Sequence, residues 1–242
     1  ISKWAGGIGI HINNIRAKNS PIRQTAGKSD GILPMLKVYN DVARYINQSS
    51  RRNGSFAMYL SPWHDDIFEF LDAKKNHGAD ETRARDLFYA LWIPDKFMHA
   101  VEKDEDWFLM CPDECNGLND VWGDEFNEMY DAFVEAGKFR RCVKARDVWG
   151  KIISSQIETG MPYMLYADSC NAKSNQKNLG TIKSSNLCAE IVEFSDHDNE
   201  YAVCNLASIG LARFVEYQSF DYDKFRTVVK HVVKNLDKVI DR

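Results

Sequence analysis

The fold of this chain is decided in the stretch Leu87-Phe88-Tyr89-Ala90-Leu91-Trp92-Ile93. A continuous apolar run of this length predicts a strand that is buried on both faces, as strands of parallel sheets are. Phe56–Leu60 upstream and Met164–Tyr166 downstream are short apolar runs of the same kind. In Ala5–Ile15, isoleucines alternate at period 2 after a group of glycines, which predicts a strand entered through a turn.

Segments with helical spacing of apolar residues separate these strands. They are Ile32–Asn47, Asp65–Lys75, Pro94–Val101, Asp124–Ala136, Ala145–Thr159 and Asp223–Ile240. Two further strands are predicted at Glu190–Phe194 and Tyr201–Asn205, on either side of an acidic turn. Alternation of strands and helices predicts an α/β fold with parallel pairing, without distinguishing an open sheet from a barrel. Because no repeat or linker divides the chain, we predict one domain over residues 1–242.

The composition restricts the classes of function. The chain has 242 residues, 44% of them hydrophobic and 27% charged, which is ordinary for a soluble globular protein. A net charge of −4 argues against a nucleic-acid groove but leaves room for a nucleotide pocket. No apolar run reaches the roughly 18 residues that a membrane span needs, and the first residues lack the basic and apolar pattern expected of a signal peptide. We therefore expect a cytoplasmic protein that binds neither membrane nor nucleic acid.

The cysteines do not form a disulfide framework, since a chain of this length has core enough without one. Four of them are predicted to be small buried or half-buried thiols, namely Cys111, Cys115, Cys142 and Cys170. No second Cys/His pair stands at zinc-ligand spacing, so no metal site is predicted. Pro62-Trp63-His64 has the look of a metal or catalytic signature, but we predict a packing role. Cys111–Cys115 is predicted to be a surface loop, and the clusters at Asp104–Asp106 and Asp196–Glu200 solvated turns.

The segment with the residues best suited to chemistry is Ser185–Glu190. In an extended backbone, Asn186, Cys188 and Glu190 would project from one face, since residues two apart point the same way. An amide, a thiol and a carboxylate on one face are unusual for a structural strand. Cys204 follows in a second apolar stretch, where a structural thiol is the plain alternative. The pattern indicates a site without naming a reaction.

Residues Asn178–Glu193 closely resemble the finger-loop segment of class I ribonucleotide reductase large subunits. Further matches to the family, in the family's order up to about Val215, are Ile1–Gly9, Pro34–Asn40, Ala84–Phe88, Met161–Tyr166 and Ala202–Ser208. The likeness favours the eukaryotic-type branch. It implies the family's fold, an α/β barrel of ten strands built from two five-stranded halves, with the finger loop threaded through its centre. This chain would hold part of that barrel.

The resemblance also implies roles for the residues of the predicted site. Cys188 would become a transient thiyl radical, because an S–H bond is close in strength to a ribose C3′–H bond. Glu190 would be the general base for the 3′-hydroxyl, and Asn186 would hold the sugar hydroxyls. Cys204 would be half of a dithiol that is oxidised in each turnover and reduced again by thioredoxin or glutaredoxin. Its partner cysteine lies, in the family, upstream of the matching segment.

Other implied parts have no match in these residues. They are an N-terminal ATP/dATP regulatory domain, a phosphate-binding loop, radical-relay tyrosines and C-terminal redox cysteines. We therefore expect the isolated chain to have no catalytic activity. The resemblance implies that catalysis needs a ribonucleoside diphosphate substrate, a metal-containing small subunit that generates the radical, and a second large subunit in a homodimer.

The resemblance places regulatory residues near the start of the chain. Lys3 and Arg16 match positions that bind the phosphates of a dNTP effector at the dimer interface. Arg23 and Gln24 occupy a loop that contacts the same effector. Without the resemblance, Lys3 and Arg16 would be interpreted as solvated surface charges.

The loop Asn47–Gly54 resembles the one that links effector to substrate choice, and we assign Gln48 and Arg52 to that task. Ser49-Ser50 replaces two glycines usual in the family, and the loop is one residue shorter. Two rival functions remain open. The chain could be a dNTP-binding and dimerisation module without catalysis, or part of an adenosylcobalamin-dependent reductase, which the eukaryotic-type motifs disfavour.

Overall fold

The computed structural model describes residues 1–23, 25–47, 53–196, 198 and 200–241. The chain divides into two compact units, Ile1–Ser195 and Asp196–Arg242, which are described separately. The prediction that residues 1–242 form one domain stays a prediction.

The first unit contains most of the regular structure. Its strands are β1 (Ile8–His11), β2 (Phe56–Leu60), β3 (Phe88–Ile93), β4 (Asp106–Leu109), β5 (Arg141–Lys144) and β6 (Tyr163–Tyr166). Its helices are α1 (Ile32–Tyr45), α2 (Ile67–Asp72), α3 (Asp95–Lys103), α4 (Gly123–Glu135), α5 (Ala145–Thr159) and α6 (Ala167–Lys173). Short 3₁₀ helices lie at Ser2–Trp4 and Asp80–Thr82.

Four strands form a parallel sheet in the order β1-β2-β3-β6. This confirms the predicted α/β class and the parallel pairing. The antiparallel pair of β4 with β5 was not predicted. In β4 the charged Asp106 precedes a short apolar run, and β5 alternates half-buried and exposed residues over only four positions. Elements this short carry too few periods to be recognised from sequence.

The two faces of the parallel sheet are covered by different layers. On one face, large apolar side chains such as Met58, Tyr89 and Leu91 join the main core with the helices. On the other face, a second core contains the smaller Ala57 and Ala90. This second core also takes up apolar side chains of residues 182–194, a segment without helix or strand. An irregular segment therefore lies where a helical layer would be expected.

Pro62-Trp63-His64 has the predicted packing role. Trp63 and His64 are buried, and the Pro62 carbonyl accepts a 3.0 Å hydrogen bond from Nε1 of Trp107. Nδ1 of His64 accepts from the Asp66 amide at 3.1 Å, so Nε2 carries the proton and donates to the Ile15 carbonyl at 2.8 Å. Burial lowers the pKa of this imidazole. His64 is thus a neutral cross-link between two loops.

The cysteine predictions are partly confirmed. Cys111 and Cys115 are buried and Cys170 is half-buried, but Cys142 is exposed, because β5 turns alternate side chains to solvent. The expectation of a surface loop at Cys111–Cys115 is wrong for its two thiols. Cys111 Sγ lies 3.0 Å from Ser20 Oγ, and Cys115 Sγ donates to the Lys138 carbonyl at 3.0 Å. Burial raises the pKa of Cys115 to about 12, so this thiol is unreactive.

The second unit has little regular structure before its last helix. It contains a 3₁₀ helix (Leu211–Phe214), the hairpin β7 (Val215–Glu216) and β8 (Ser219–Phe220), and α7 (Tyr222–Ile240). The predicted strand at Tyr201–Asn205 is absent, as is the one at Glu190–Phe194 in the first unit. Neither stretch has a neighbouring strand to pair with among the described residues. The Asp196 amide donates to the Glu200 carbonyl at 2.9 Å, which confirms the acidic turn.

The predicted helix at Asp223–Ile240 is confirmed as α7. Its N-cap is Asp221, whose side chain accepts a 2.9 Å hydrogen bond from the Lys224 amide. In the part of the chain that the structure describes, no helix combines the length and the apolar character required to cross a bilayer.

Candidate active site

The irregular segment 180–194 is clamped at both ends by amide side chains. Asn171, buried on α6, donates from Nδ2 to the Ile182 carbonyl at 2.9 Å and accepts the Ile182 amide at 2.7 Å. These two hydrogen bonds satisfy the backbone N–H and C=O groups of Ile182, as a neighbouring β-strand would do. At the other end, Gln176 Oε1 accepts the Phe194 amide at 2.6 Å. Between the clamps, the segment is free to adopt a shape of its own.

That shape is a closed turn and not the predicted extended strand. The Ser185 hydroxyl donates to the Ile191 carbonyl, and the Ile191 amide donates to Asn186 Oδ1 at 3.2 Å. These bonds bring residues 185 and 191 together, so residues 187–189 form a turn. Within it, Ala189 has a left-handed backbone conformation with φ 70°. The expectation that Asn186, Cys188 and Glu190 share one strand face is therefore wrong. They lie together on the turn, which we call the thiol turn (residues 185–191).

Glycines of β1 and the residues before it let the thiol turn approach the sheet closely. A Cβ atom added at Gly9 would lie 1.9 Å from the Ser185 carbonyl oxygen. At Gly7 it would lie 2.1 Å from Cδ2 of Leu187. Both distances are far inside van der Waals contact, so neither position accepts a side chain unless the turn moves.

One row of side chains across the sheet faces the thiol turn. The strand register aligns His11 with Tyr59, Tyr59 with Ala90, and Ala90 with Tyr163. Aligned residues of parallel strands project from the same face. The Tyr59 hydroxyl donates to the Asn186 main-chain carbonyl at 2.6 Å. Ala90, between the two tyrosines, leaves space above the sheet for both rings.

Burial is the main influence on the acidity of the two tyrosines in this row. Burial raises the pKa of Tyr59 to about 12, although a hydrogen bond from Ser185 opposes the shift. Smaller contributions in the same direction as burial come from the charged forms of Tyr163, Glu190 and Cys188. Burial and then the Cys188 thiolate raise the pKa of Tyr163. Both phenols therefore keep their protons at neutral pH, and Tyr59 remains a hydrogen-bond donor.

His11, at the end of the same row, is a polar group in an apolar setting. Both of its ring nitrogens are buried, and neither has a hydrogen-bond partner among the described residues. Burial and the nearby Lys183 ammonium lower the pKa of His11 to about 4, against a smaller effect of Asp120. Lys183 is itself paired with Asp120. His11 is thus neutral at physiological pH.

The predicted catalytic residues fall into two groups. Cys188 and Glu190 are exposed on the thiol turn and Asn186 is half-buried. The Asn186 side-chain oxygen is used within the turn, and its Nδ2 group has no hydrogen-bond partner among the described residues. Nδ2 is therefore available to a ligand. Cys204 belongs to the second unit, which is described separately.

The predicted effector residues do not all lie together. Lys3 lines a cavity of about 610 Å³ with Tyr45, Asn47 and Ser55. Arg16 follows β1 at its other end, and its guanidinium lies 3.2 Å from Asp113 Oδ1.

Arg23 contacts the same carboxylate at 3.7 Å. Asp113 thus contacts both arginines, whereas Lys3 lies apart from them. Gln24, Gln48, Ser49-Ser50 and Arg52 lie outside the described residues.

Sequence reasoning missed Gly9, Tyr59, Tyr163 and His11 as neighbours of the thiol turn. Once parallel pairing of the strands is assumed, a partial signal exists for three of them. His11 and Tyr59 lie inside predicted strands and Tyr163 directly precedes one, and the observed register aligns all three. The close approach at Gly9 has no such signal, because it depends on the path of the irregular segment.

Comparison with known proteins gives matches over the whole chain. Residues 1–242 match the family model described as ribonucleotide reductase, barrel domain. The chain is 57% identical to the ribonucleoside-diphosphate reductase large subunit of Plasmodium falciparum (isolate Dd2), covering 100% of this chain and 30% of that protein. It is 58% identical to the large chain from Neurospora crassa, with 100% and 26% covered. For the large subunit of Monkeypox virus the identity is 59%, with 100% and 31% covered.

These matches confirm the resemblance to the eukaryotic-type family. The chain spans about a third or less of the length of the curated relatives it matches.

Proposed function

Because the chain belongs to the ribonucleotide reductase barrel-domain family, we propose that it is the part of a ribonucleoside-diphosphate reductase large subunit that carries the radical cysteine. The observation that carries this proposal is the thiol turn, which presents Asn186, Cys188 and Glu190 together in a chain matched over its whole length. The sheet β1-β2-β3-β6 would be four of the ten barrel strands. Residues 180–194 would be the finger loop.

In this proposal the reaction starts at Cys188. Its thiyl radical takes the hydrogen atom from C3′ of the ribose, forming an S–H bond and a carbon radical. Glu190 accepts the 3′-hydroxyl proton, which helps the 2′-hydroxyl to leave. The free Nδ2 group of Asn186 donates to a sugar hydroxyl and keeps the reacting atoms in register.

The second half of the reaction needs electrons. Cys204 and a second cysteine supply two electrons and two protons, the 2′-hydroxyl leaves as water, and the pair becomes a disulfide. The C3′ radical then recovers its hydrogen atom from the Cys188 thiol, which regenerates the thiyl radical. The net change is ribonucleoside diphosphate plus dithiol to deoxyribonucleoside diphosphate, disulfide and water. Thioredoxin or glutaredoxin would reduce the disulfide, which fits a cytoplasmic setting.

The direct test is an assay of a full-length large subunit that contains this chain. With a metal-containing, radical-generating small subunit and a dithiol reductant, we expect deoxyribonucleoside diphosphate to form. With added adenosylcobalamin in place of the small subunit, we expect none. Product only with cobalamin would place the protein in the other class of reductase, and no product under either condition would argue against catalysis.

The close approach at Gly9 provides a structural test of the same proposal. In Gly9→Ala, the new Cβ atom would meet the Ser185 carbonyl, so the thiol turn must move by an ångström or more. Because a displacement of about 1 Å at reacting groups costs roughly 100-fold in rate, we expect kcat to fall by about that factor. Gly150→Ala is the matched control, since a Cβ atom there meets nothing within 4 Å. An unchanged kcat in Gly9→Ala would show that the turn's position is not critical.

Regulation and dimer formation are part of the proposal. Helix α1 exposes an apolar stripe of Val38, Val42 and Tyr45, which are 62%, 38% and 89% exposed. A stripe of this kind on a helix favours contact with a second large subunit. The cavity beside Lys3 adjoins the same helix through Tyr45 and would receive dNTP phosphates. Arg16, Arg23 and Gln24 would contact a dNTP effector from the loop after β1.

The same observations favour a second candidate function, a dNTP-binding and dimerisation fragment without catalysis. Ultracentrifugation of the chain with and without a dNTP would test it. This alternative is favoured if the chain forms a dimer when a dNTP is added and if the full-length subunit that contains it shows no reductase activity.

The serine pair in the loop after α1 leads to a prediction on substrate choice, with Gln48 and Arg52 as its proposed effector-reading residues. A Gly-Gly pair allows positive φ, whereas each non-Gly residue held there costs roughly 1 kcal/mol or more. A tenfold change in specificity needs about 1.4 kcal/mol. We therefore expect Ser49-Ser50 to mute the change of base preference between dNTP effectors, and Ser49→Gly/Ser50→Gly to enlarge it. The measurement is the ratio of the four reduction rates under each effector. A full effector response in the wild type, unchanged by the glycines, would contradict this.

A further inference from the structure

Tyr59 ties the thiol turn to the sheet. Its side chain is fully buried in β2, and its hydroxyl donates to the Asn186 carbonyl at 2.6 Å. We propose that Tyr59 is a positioning residue for the radical thiol, holding the main chain of the thiol turn so that Cys188 and Asn186 meet the ribose in register. This inference rests on the proposed function.

The contacts of the turn explain why this bond matters. The Ser185 hydroxyl and the Asn186 amide oxygen close the turn on itself, so they do not fix its height above the sheet. The clamps at Ile182 and Phe194 hold only the ends of the segment. Among the described residues, Tyr59 is the sheet residue that hydrogen-bonds to positions 183–193, at the Asn186 carbonyl and at the Ser185 side chain. The bond to the carbonyl is made at Asn186, two residues before Cys188.

The Tyr59 ring is itself held in place, which a positioning group requires. It lies edge-on to Trp92, with ring centroids 6.4 Å apart and planes at 78°. Its neighbours in the register, His11 and Ala90, flank it on the adjacent strands. The donor is therefore presented from a rigid strand and not from a loop. Its proton is retained at neutral pH, because burial raises the pKa of this phenol to about 12.

The first test removes the donor in the full-length subunit. In Tyr59→Phe we expect kcat to fall about tenfold, equivalent to about 1.4 kcal/mol, with KM little changed. The matched control is Tyr89→Phe in β3, where an equally buried phenol donates to the Ala84 carbonyl at 2.7 Å on the helix-covered face. The two variants lose the same kind of bond, so they should lose similar thermal stability. Only Tyr59→Phe should lose kcat.

A second variant keeps the test decisive if Tyr59→Phe folds poorly. Trifluorotyrosine at position 59 keeps the ring and, at low pH, the donor, but its phenol ionises at lower pH than that of tyrosine. We expect near wild-type kcat at low pH and a fall as pH rises through the new phenol pKa. The wild type and the same replacement at Tyr89 should not show this step. If Tyr59 had only a structural role, the pH-dependent fall in kcat would not be confined to the replacement at position 59.

Failure of this inference is distinct from failure of the proposed function. An active wild type, inactive Cys188→Ser and full-rate Tyr59→Phe would overturn the positioning role and leave the reductase proposal intact. A trifluorotyrosine variant at position 59 without a pH step would overturn it as well. A wild-type subunit that forms no product would instead count against the reductase proposal itself.

Discussion

Cys188→Ser in a full-length large subunit is expected to abolish deoxyribonucleotide formation while leaving nucleotide binding within a few-fold of wild type. An alcohol O–H bond is much stronger than a thiol S–H bond, so a serine at this position cannot be oxidised by the incoming radical and cannot take part in hydrogen exchange with C3′. The replacement is nearly isosteric, and Cys188 is exposed on the turn, so packing should hardly change. The measurements are product formation with the small subunit and nucleotide binding by equilibrium dialysis.

Cys142→Ser is the matched control for that experiment. Cys142 is also exposed, but it lies on β5, in a two-stranded sheet separate from the one beneath the thiol turn. Its replacement should leave turnover unchanged. If Cys188→Ser retains more than a few per cent of wild-type activity, Cys188 is not the site of the radical.

The regular elements near the site could be predicted because their apolar patterns are long or unbroken. Phe56–Leu60 and Ala145–Thr159 form with the predicted bounds, and parallel pairing follows from the continuous run around Ala90. The seven-residue helix α6 was missed, because its polar sequence has little periodicity. Yet α6 supplies Asn171, the clamp at one end of the irregular segment 180–194.

The geometry of the thiol turn could not be predicted for a different reason. Period-2 reasoning assumes that neighbouring strands complete the hydrogen bonds of the backbone. Here the side chains of Ser185 and Asn186 hydrogen-bond to the main-chain carbonyl and amide of Ile191 instead, and these bonds close the loop locally. Such bonds depend on short polar side chains in an irregular path and leave no periodic signal. The resemblance therefore predicts roles for these residues, while their arrangement came only from the structure.

Cys204→Ser is expected to remove product formation as completely as Cys188→Ser, but by a different route. In the proposed mechanism, Cys188 starts the radical reaction, whereas Cys204 delivers electrons after the 2′-hydroxyl has left. The Cys204 variant should therefore still form the C3′ radical. Without the dithiol, the oxidised sugar intermediate has no reductant and decomposes, releasing free base or inactivating the enzyme. Base release should be detected while deoxynucleotide is not.

The double variant Cys188→Ser/Cys204→Ser separates this interpretation from simple damage to the protein. If the base released by Cys204→Ser comes from a radical that Cys188 starts, adding Cys188→Ser must stop it. The assay follows free base and deoxynucleotide over time in all three variants with the small subunit present. Inert Cys204→Ser enzyme, with neither product nor substrate breakdown, would place Cys204 outside the dithiol and leave the electron donor to be sought among other cysteines.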